Sequence, residues 1–473
     1  KLVRFRLPDQ SNTKQKGRQV KISRSDAHTK AHALPEVRAE EQQLTAVAGL
    51  IVFQPLFERL GLRDLLKGCF GHLKANPVFG HATVVTLMIV HILIGHRRLQ
   101  EINHYKDDPI VQRVLHLKRL PDVSTVSRNL KQLDDASVKL QRQVLRKLVG
   151  DRLKTIAPAR VTLDFDGSVN ATNRKAQGAA SGYNKKKKGQ RSYYPLFCTL
   201  AQTGQVFDFH HRPGNVHDSN GAKQFILACI MAIREILPGT IVETRMDSAF
   251  FSEEIVKALT TFKVEFTISV PFDRFTRLKA KLEKRVMWSR VDRDVSYFEE
   301  YWKPESWKET HRFIFVRTRE AKQRKGPIQL DMFAPHVYGF EFKVILTSMT
   351  LSARKTVLFH NGRGAQEAIF AELKSHAQMD YIPCNRLAAN QTWLFAAVMA
   401  HNLNRELQMS TQNPVRETTE QRAPWWKFVR LATRRLSLIR RPGLLNAPQG
   451  RLTLTINADA DVASEMKEML QAA

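Results

Sequence analysis

Cysteine is scarce in this 473-residue chain. Cys69, Cys198, Cys229 and Cys384 stand far apart, with no CxxC pair among them. That argues against a disulfide framework and a Cys-rich zinc site, and it suits a reducing compartment. Long apolar runs are lacking as well. The longest, VVTLMIVHILI at residues 84–94, is interrupted by His91 and falls well short of the ~20 residues a membrane helix needs. The basic opening KLVRFRLPDQ leads into no apolar stretch of the kind that directs secretion. A cytoplasmic protein with no membrane partner is expected. Acidic residues are the third shortage: 45 Asp and Glu face 75 Lys and Arg, a net charge of +30. Such a surplus speaks about partners rather than fold, and it points to a polyanion, nucleic acid before an anionic membrane surface.

What is present divides the chain by texture. Residues 1–40 form a basic arm that either lies along phosphates or frays as a terminus. Residues 41–157 carry apolar residues three and four apart and read as a helical region. Within it a Leu-Pro-Asp break precedes a short helix presenting Ser124, Thr125, Ser127, Arg128, Asn129 and Lys131. Small polar and basic side chains opening a helix after a turn suit a DNA-reading helix, because they reach base edges and phosphates; an ordinary capped surface helix has the same look. After Pro158 the stretches VTLDFDGS, YYPLFCTLA and QVFDFHHR read as strands, the last two joined at Thr203-Gly204. A helix near 218–236, a strand IVETRM, a helix near 252–260 and a strand VEFTISV complete residues 158–270 as a mixed sheet flanked by helices. Residues 271–355 alternate as a β-rich insertion, 356–408 turn helical, and 409–473 read as a basic helical tail.

Three acids recur at comparable places. Asp166 ends a strand in LDFDGS, Asp247 ends another in TRMDSAF, and Glu367 lies in the first turn of a helix. Asp164 is an equal alternative to Asp166, since residues two apart on a strand point the same way. Three carboxylates suit two hard divalent cations flanking one phosphodiester. At about 100° per residue, Arg363, Glu367 and Lys374 share one helix face, with His360 just before them. A carboxylate for metal beside Arg and Lys for phosphate is one reading of that face; a solvated Arg–Glu pair is the other. Lys185, Lys186, Lys187 and Lys188, with Tyr183, Tyr193 and Tyr194 nearby, form either a solvated loop or a track for the DNA backbone. His210, His211, His217 and Asp218 match no zinc spacing and read as a loop rim. Trp425 and Trp426 read as core or dimer contacts.

Taken in order, DVSTVSR, DFDGS, HHRPGNVHDS, RMDSAF and the His360-Arg363-Glu367-Lys374 spacing resemble bacterial insertion-sequence transposases of the DDE class. The branch resembled has a β-rich insertion before the last acid and a Tyr-x2-Arg-x3-Glu-x6-Lys signature, with His360 standing where its Tyr is usual. The resemblance spans residues 40 to 405 or so. It implies an α/β RNase H-like core with a β-rich insertion, a helical N-terminal DNA-binding region and a helical tail. It favours Asp166 over Asp164 and implies that Asp166, Asp247 and Glu367 ligate two Mg²⁺ ions, with Mn²⁺ able to substitute. His360, Arg363 and Lys374 would hold the transposon end. Double-stranded DNA (terminal inverted repeats and target) and a second copy of the chain are the implied partners, at the bacterial nucleoid. A nuclease of the same fold that cuts without joining, and a domesticated DNA-binding protein, are the alternatives.

Overall fold

The computed structural model describes residues 36, 42–74, 78–182, 188–216, 221–271, 275–319, 336–337 and 340–472. The chain begins with helices: α1 (Phe53–Arg59), α2 (Leu62–Gly68), α3 (His81–Leu93), α4 (Pro109–Val114), α5 (Val123–Lys131) and α6 (Asp135–Ile156). The apolar run at 84–94 is α3, buried on nearly every side. Among the described residues no helix is long and apolar enough to cross a membrane. Asp134 caps α6 by accepting the Ser137 amide at 2.8 Å. The helix stops at Ala157, whose φ of 37° is left-handed, and Pro158 prevents its resumption.

Strands β1 (Arg160–Gly167), β2 (Leu196–Leu200), β3 (Val206–His210), β4 (Ile241–Met246) and β5 (Glu265–Val270) follow. They lie in the order β3-β2-β1-β4-β5. β1–β2 and β2–β3 are antiparallel, while β1–β4 and β4–β5 are parallel. The parallel pairs need crossovers, and α7 (Ala222–Ile236) and α8 (Glu253–Thr261) lie in the connecting segments. This is the mixed α/β, RNase H-like order, and the expected strands and helices of residues 158–270 are all found.

Residues 271–355, expected as an inserted unit, extend the same sheet. After α9 (Thr276–Lys284), β6 (Val295–Trp302), β7 (His311–Arg319) and β8 (Phe340–Thr347) continue outward from β5, with β8 antiparallel to it. Residues of these strands such as Phe313, Phe315, Val344 and Leu346 join the sheet's own core.

Helices α10 (Ala353–Asn361), α11 (Gly364–Ser375) and α12 (Leu387–Thr411) return to that sheet. The 25-residue α12 is buried along most of its length. Trp393, Phe395 and Leu403 on it share one core with Val85 and Leu93 of α3 and with Phe197 and Phe209 of the sheet. The tail expected to be helical contains strands Gly443–Asn446, which pairs with Leu44–Thr45, and Thr453–Ile456, which pairs with Gly443–Asn446, before α13 (Ala460–Ala472). It therefore closes on the N-terminal helices. Trp426 is buried and donates its indole N–H to the Gln412 carbonyl at 2.8 Å, while Trp425 stacks on it.

Several buried imidazoles are held neutral. Burial pushes His91 down to about 3 and His401 to about 4, with a nearby cation or imidazole adding to it. Unfolding frees these rings to bind protons near pH 6.5, so the unfolded chain takes up more protons than the folded one below that pH. Stability is expected to fall as pH drops from about 6.5 toward 4. Urea midpoints at pH 7, 6 and 5 check this, and His91→Gln should flatten the slope.

Candidate active site

The carboxyl ends of β1 and β4 lie side by side. In their parallel register Asp164 stands opposite Arg245 and Phe165 opposite Met246. Asp166 and Asp247 each follow two residues later, which puts both on one face of the sheet at neighbouring strand ends. Both are half-buried. Asp247 terminates β4 by capping the turn Ser248–Phe250, accepting the Ala249 amide at 2.9 Å.

The two candidates for the first acid have different surroundings. Asp164 is 2% exposed and forms a bidentate pair with the fully buried Arg245, at 2.5 and 2.7 Å. Arg245 also donates to the carbonyls of Phe359 (3.0 Å) and Gln421 (2.7 Å) and lies over the Phe359 ring. Asp166 opens to solvent and accepts from Arg363 Nη1 at 3.1 Å.

Helix α11 is set against β1 by Gln366, whose Nε2 donates to the Asp164 carbonyl at 2.9 Å. Arg363 is its N-cap residue, Glu367 lies exposed in its first turn, and Lys374 is half-buried in its last. The break between α10 and α11 falls at Gly362 because any side chain there would collide: a Cβ would meet the Gln421 carbonyl oxygen at 2.0 Å and Arg245 Nη1 at 2.1 Å. Arg363, Glu367 and Asp166 are thus gathered on one wall.

His360 is placed elsewhere. It is 1% exposed, its Nδ1 and Nε2 are each 2.9 Å from the hydroxyls of Thr267 and Ser269, and burial drives its pKa well below the usual imidazole value. It fastens α10 to β5, and the expectation that it touches a DNA end finds no exposed surface to act from. On α5, Ser124, Arg128 and Lys131 are exposed and Thr125 and Ser127 half-exposed, whereas Asn129 is buried against His81 Nδ1 at 2.7 Å. Lys188 is exposed; Tyr183, Lys185, Lys186, Lys187, His217 and Asp218 lie outside the described residues. His210 and His211 are both held neutral chiefly by burial.

One residue of this wall escaped sequence reasoning. Lys343 on β8 alternates with Val344 and shares the α10 side of the sheet with Ile345. Burial, with Arg363 nearby, pushes its ammonium down to about 8, while Glu367 opposes that shift. Among the described residues none gives it a hydrogen bond or an ion pair. The available signal was a lysine on an otherwise half-apolar strand, FEFKVILTS.

In kind, the donors suit a hard divalent cation: carboxylate oxygens only, at one end of the sheet. The Arg363 guanidinium already sets a positive charge on Asp166. Among the described residues no three His, Cys, Asp or Glu side chains converge tightly enough to hold one ion.

An RNase H-like sheet with paired acids at the ends of its central parallel strands defines a polynucleotidyl-transferase class of enzyme. The family described as "Transposase DDE domain group 1" matches residues 30–470, and the chain belongs to it. It is accordingly a DDE transposase, an enzyme of DNA cleavage and strand transfer. No curated protein sequence matches it. Among solved structures it is similar to a piggyBac transposase synaptic complex with hairpin DNA, at 12% identity and a TM-score of 0.38, over 83% of this chain and 80% of that one. It is also similar to the Mos1 mariner paired-end complex with Mn, at 13% identity and a TM-score of 0.17, over 41% of this chain and 60% of that one. The assignment rests on the family match.

The two aspartates are expected to separate experimentally. Asp164→Asn leaves Arg245 buried without its counter-charge and should cost about 3–5 kcal/mol of stability. Asp166→Asn removes a partly solvated contact and should cost about 1 kcal/mol or less. Chemical denaturation of both variants is the check.

Proposed function

We propose that this transposase binds the terminal inverted repeats of an insertion sequence, cleaves at the element's ends and joins the freed 3′-OH to target DNA, working as at least a homodimer on paired ends. The observation that carries the reading is that Asp166 and Asp247 each directly follow the last paired residues of β1 and β4, Phe165 opposite Met246, with the Glu367 helix hydrogen-bonded to the backbone of β1. Asp166, Asp247 and Glu367 would hold two Mg²⁺ ions, for which Mn²⁺ could substitute. When bound, such ions supply Lewis-acid activation of the attacking and leaving oxygens. The burial of Asp164 in its pair with Arg245 supports Asp166 as the first acid.

The chain's own cations do the positioning. Arg363 is close enough to Asp166 to bridge that carboxylate and a phosphate oxygen, and its planar fork suits bidentate contact. Lys374 lies further along the same helix. Lys343, lacking a partner among the described residues, is suited to an anion that arrives with the substrate. The exposed Ser124, Arg128 and Lys131, with Thr125 and Ser127, read the repeat from α5, and Lys188 belongs to a run that tracks the DNA backbone.

Glu367→Gln keeps the side chain's shape and removes its charge. On supercoiled plasmid carrying the element's ends, with Mg²⁺, end-specific cutting should fall at least ~10³-fold while end binding is retained, because a metal ligand is removed. Equal cutting by both proteins would dismiss Glu367 as the third acid. Cutting without joining of pre-cleaved ends would make the protein a nuclease, and tight end binding with no cutting by either protein would make it a DNA-binding remnant. Lys343→Met should slow cleavage ~10-fold or more with end affinity nearly unchanged, since a desolvated contact to a phosphate is worth about 1.5–3 kcal/mol.

A further inference from the structure

Beside α5 lies a groove of about 330 Å³ that sequence reasoning did not anticipate. One wall is α5 itself, through Val123, Ser127 and Lys131; the other is Arg174 and the segment Tyr381–Arg386 leading into α12. Three cations, Lys131, Arg174 and Arg386, face it from three separate parts of the chain, and all three act electrostatically on the same thiol, Cys384. All three are exposed, and none has an ion-pair partner among the described residues. Buried carboxylates elsewhere gather arginines in pairs, Arg142 and Arg146 on Asp208 and Arg160 and Arg422 on Glu243, whereas among the described residues no carboxylate lines this groove. Bringing three like charges together with no carboxylate is unfavourable unless an anion joins them.

The groove's position selects the anion. It spans the junction between the helix proposed to read the repeat and two segments near the candidate acids, the one following β1 and the one leading into α12. Asn170, just past β1, donates to the Met379 carbonyl at 3.2 Å, and Arg97 pairs with Asp380 at 2.8 Å, so the 379–386 segment is tied to both sides. Its lining combines apolar faces from Leu99, Val123, Pro383 and Tyr381, the last covered on one side by Arg97, with the side chains of Lys131, Arg174 and Arg386. We infer that Lys131, Arg174 and Arg386 form a phosphate clamp that grips the backbone of the DNA between the bases read by α5 and the strand delivered to Asp166 and Asp247. This inference rests on the proposed function and adds to it the track along which the DNA passes. Arg174 and Arg386 supply affinity and register without sequence choice.

Cys384 is a built-in reporter. It lines the groove and is half-buried, while Cys69, Cys198 and Cys229 are buried. Burial pushes its thiol up, so alkylation is carried out at mildly alkaline pH. With the full chain and a duplex of the element's end, Cys384 should be protected from maleimide, read by mass spectrometry. The Arg174→Ala/Arg386→Ala double variant changes only exposed side chains. Its log-affinity versus log-salt slope should drop by about 2, at ~0.9 for each phosphate no longer neutralised. Preference for the end over a random duplex should stay unchanged. Normal end binding with Cys384 fully reactive and the slope unaltered would overturn the clamp while leaving the proposed function intact. Protection by inorganic phosphate at the same phosphate concentration would overturn the assignment to a DNA backbone. Protection by end and random duplex alike, with no preference between them, would keep the clamp and sink recognition of the ends.

Discussion

The buried pair of Asp164 and Arg245 is the constraint from which the rest of the site follows. Removing two charges from water costs several kcal/mol per ion unless geometry is close and the remaining donors are satisfied. Here the contact is bidentate, and the spare guanidinium N–H groups go to the Phe359 and Gln421 carbonyls. One arginine thereby joins the two central parallel strands, the end of α10 and the segment following α12. Because strands alternate with period two, fixing Asp164 opposite Arg245 also fixes Asp166 alongside Asp247. Gly362 belongs to the same arrangement, since its missing side chain lets the chain pass between Arg245 and Gln421 and bring Arg363 to Asp166.

The N-terminal helices and the sheet share a packed interior in this fold. The α12 helix is buried against both the N-terminal helices and the sheet, and the tail returns to pair Gly443–Asn446 with Leu44–Thr45. A core of this density is a poor hinge. The distance between α5 and the acids is therefore a property of the fold and is not set by a tether. The cations that are satisfied internally, such as Arg245, Arg405 on Glu372 and Arg422 on Glu243, hold this core together.

The core strands were legible in the sequence because their signals are local. IVETRM spans the observed β4, and Asp166 and Asp247 lie at the end of β1 and just past β4, as their motifs suggested. Other features were legible only in part. The stretch 271–355 had the alternation of strands but nothing to say which sheet they would join, since pairing partners are distant in sequence. The tail's basic composition suggested a helix and hid two short strands that pair with each other and, through Gly443–Asn446, with Leu44–Thr45. His360 and Asn129 looked like surface polar residues on helices, yet both are consumed by tertiary partners, Thr267 and Ser269 for one and His81 for the other.

By itself, the sequence determined the class of protein: a basic α/β chain with acids ending two strands and opening a helix, spaced as in DDE transposases. Those are one-dimensional facts, fixed by residue type and period. The tertiary structure decided which of two neighbouring aspartates is spent on the core, that Lys343 lies near Arg363 and Glu367, and that three cations from separate segments line one groove beside α5. Each of these depends on contacts between residues far apart along the chain, and long-range electrostatics and packing leave no periodic trace in the sequence.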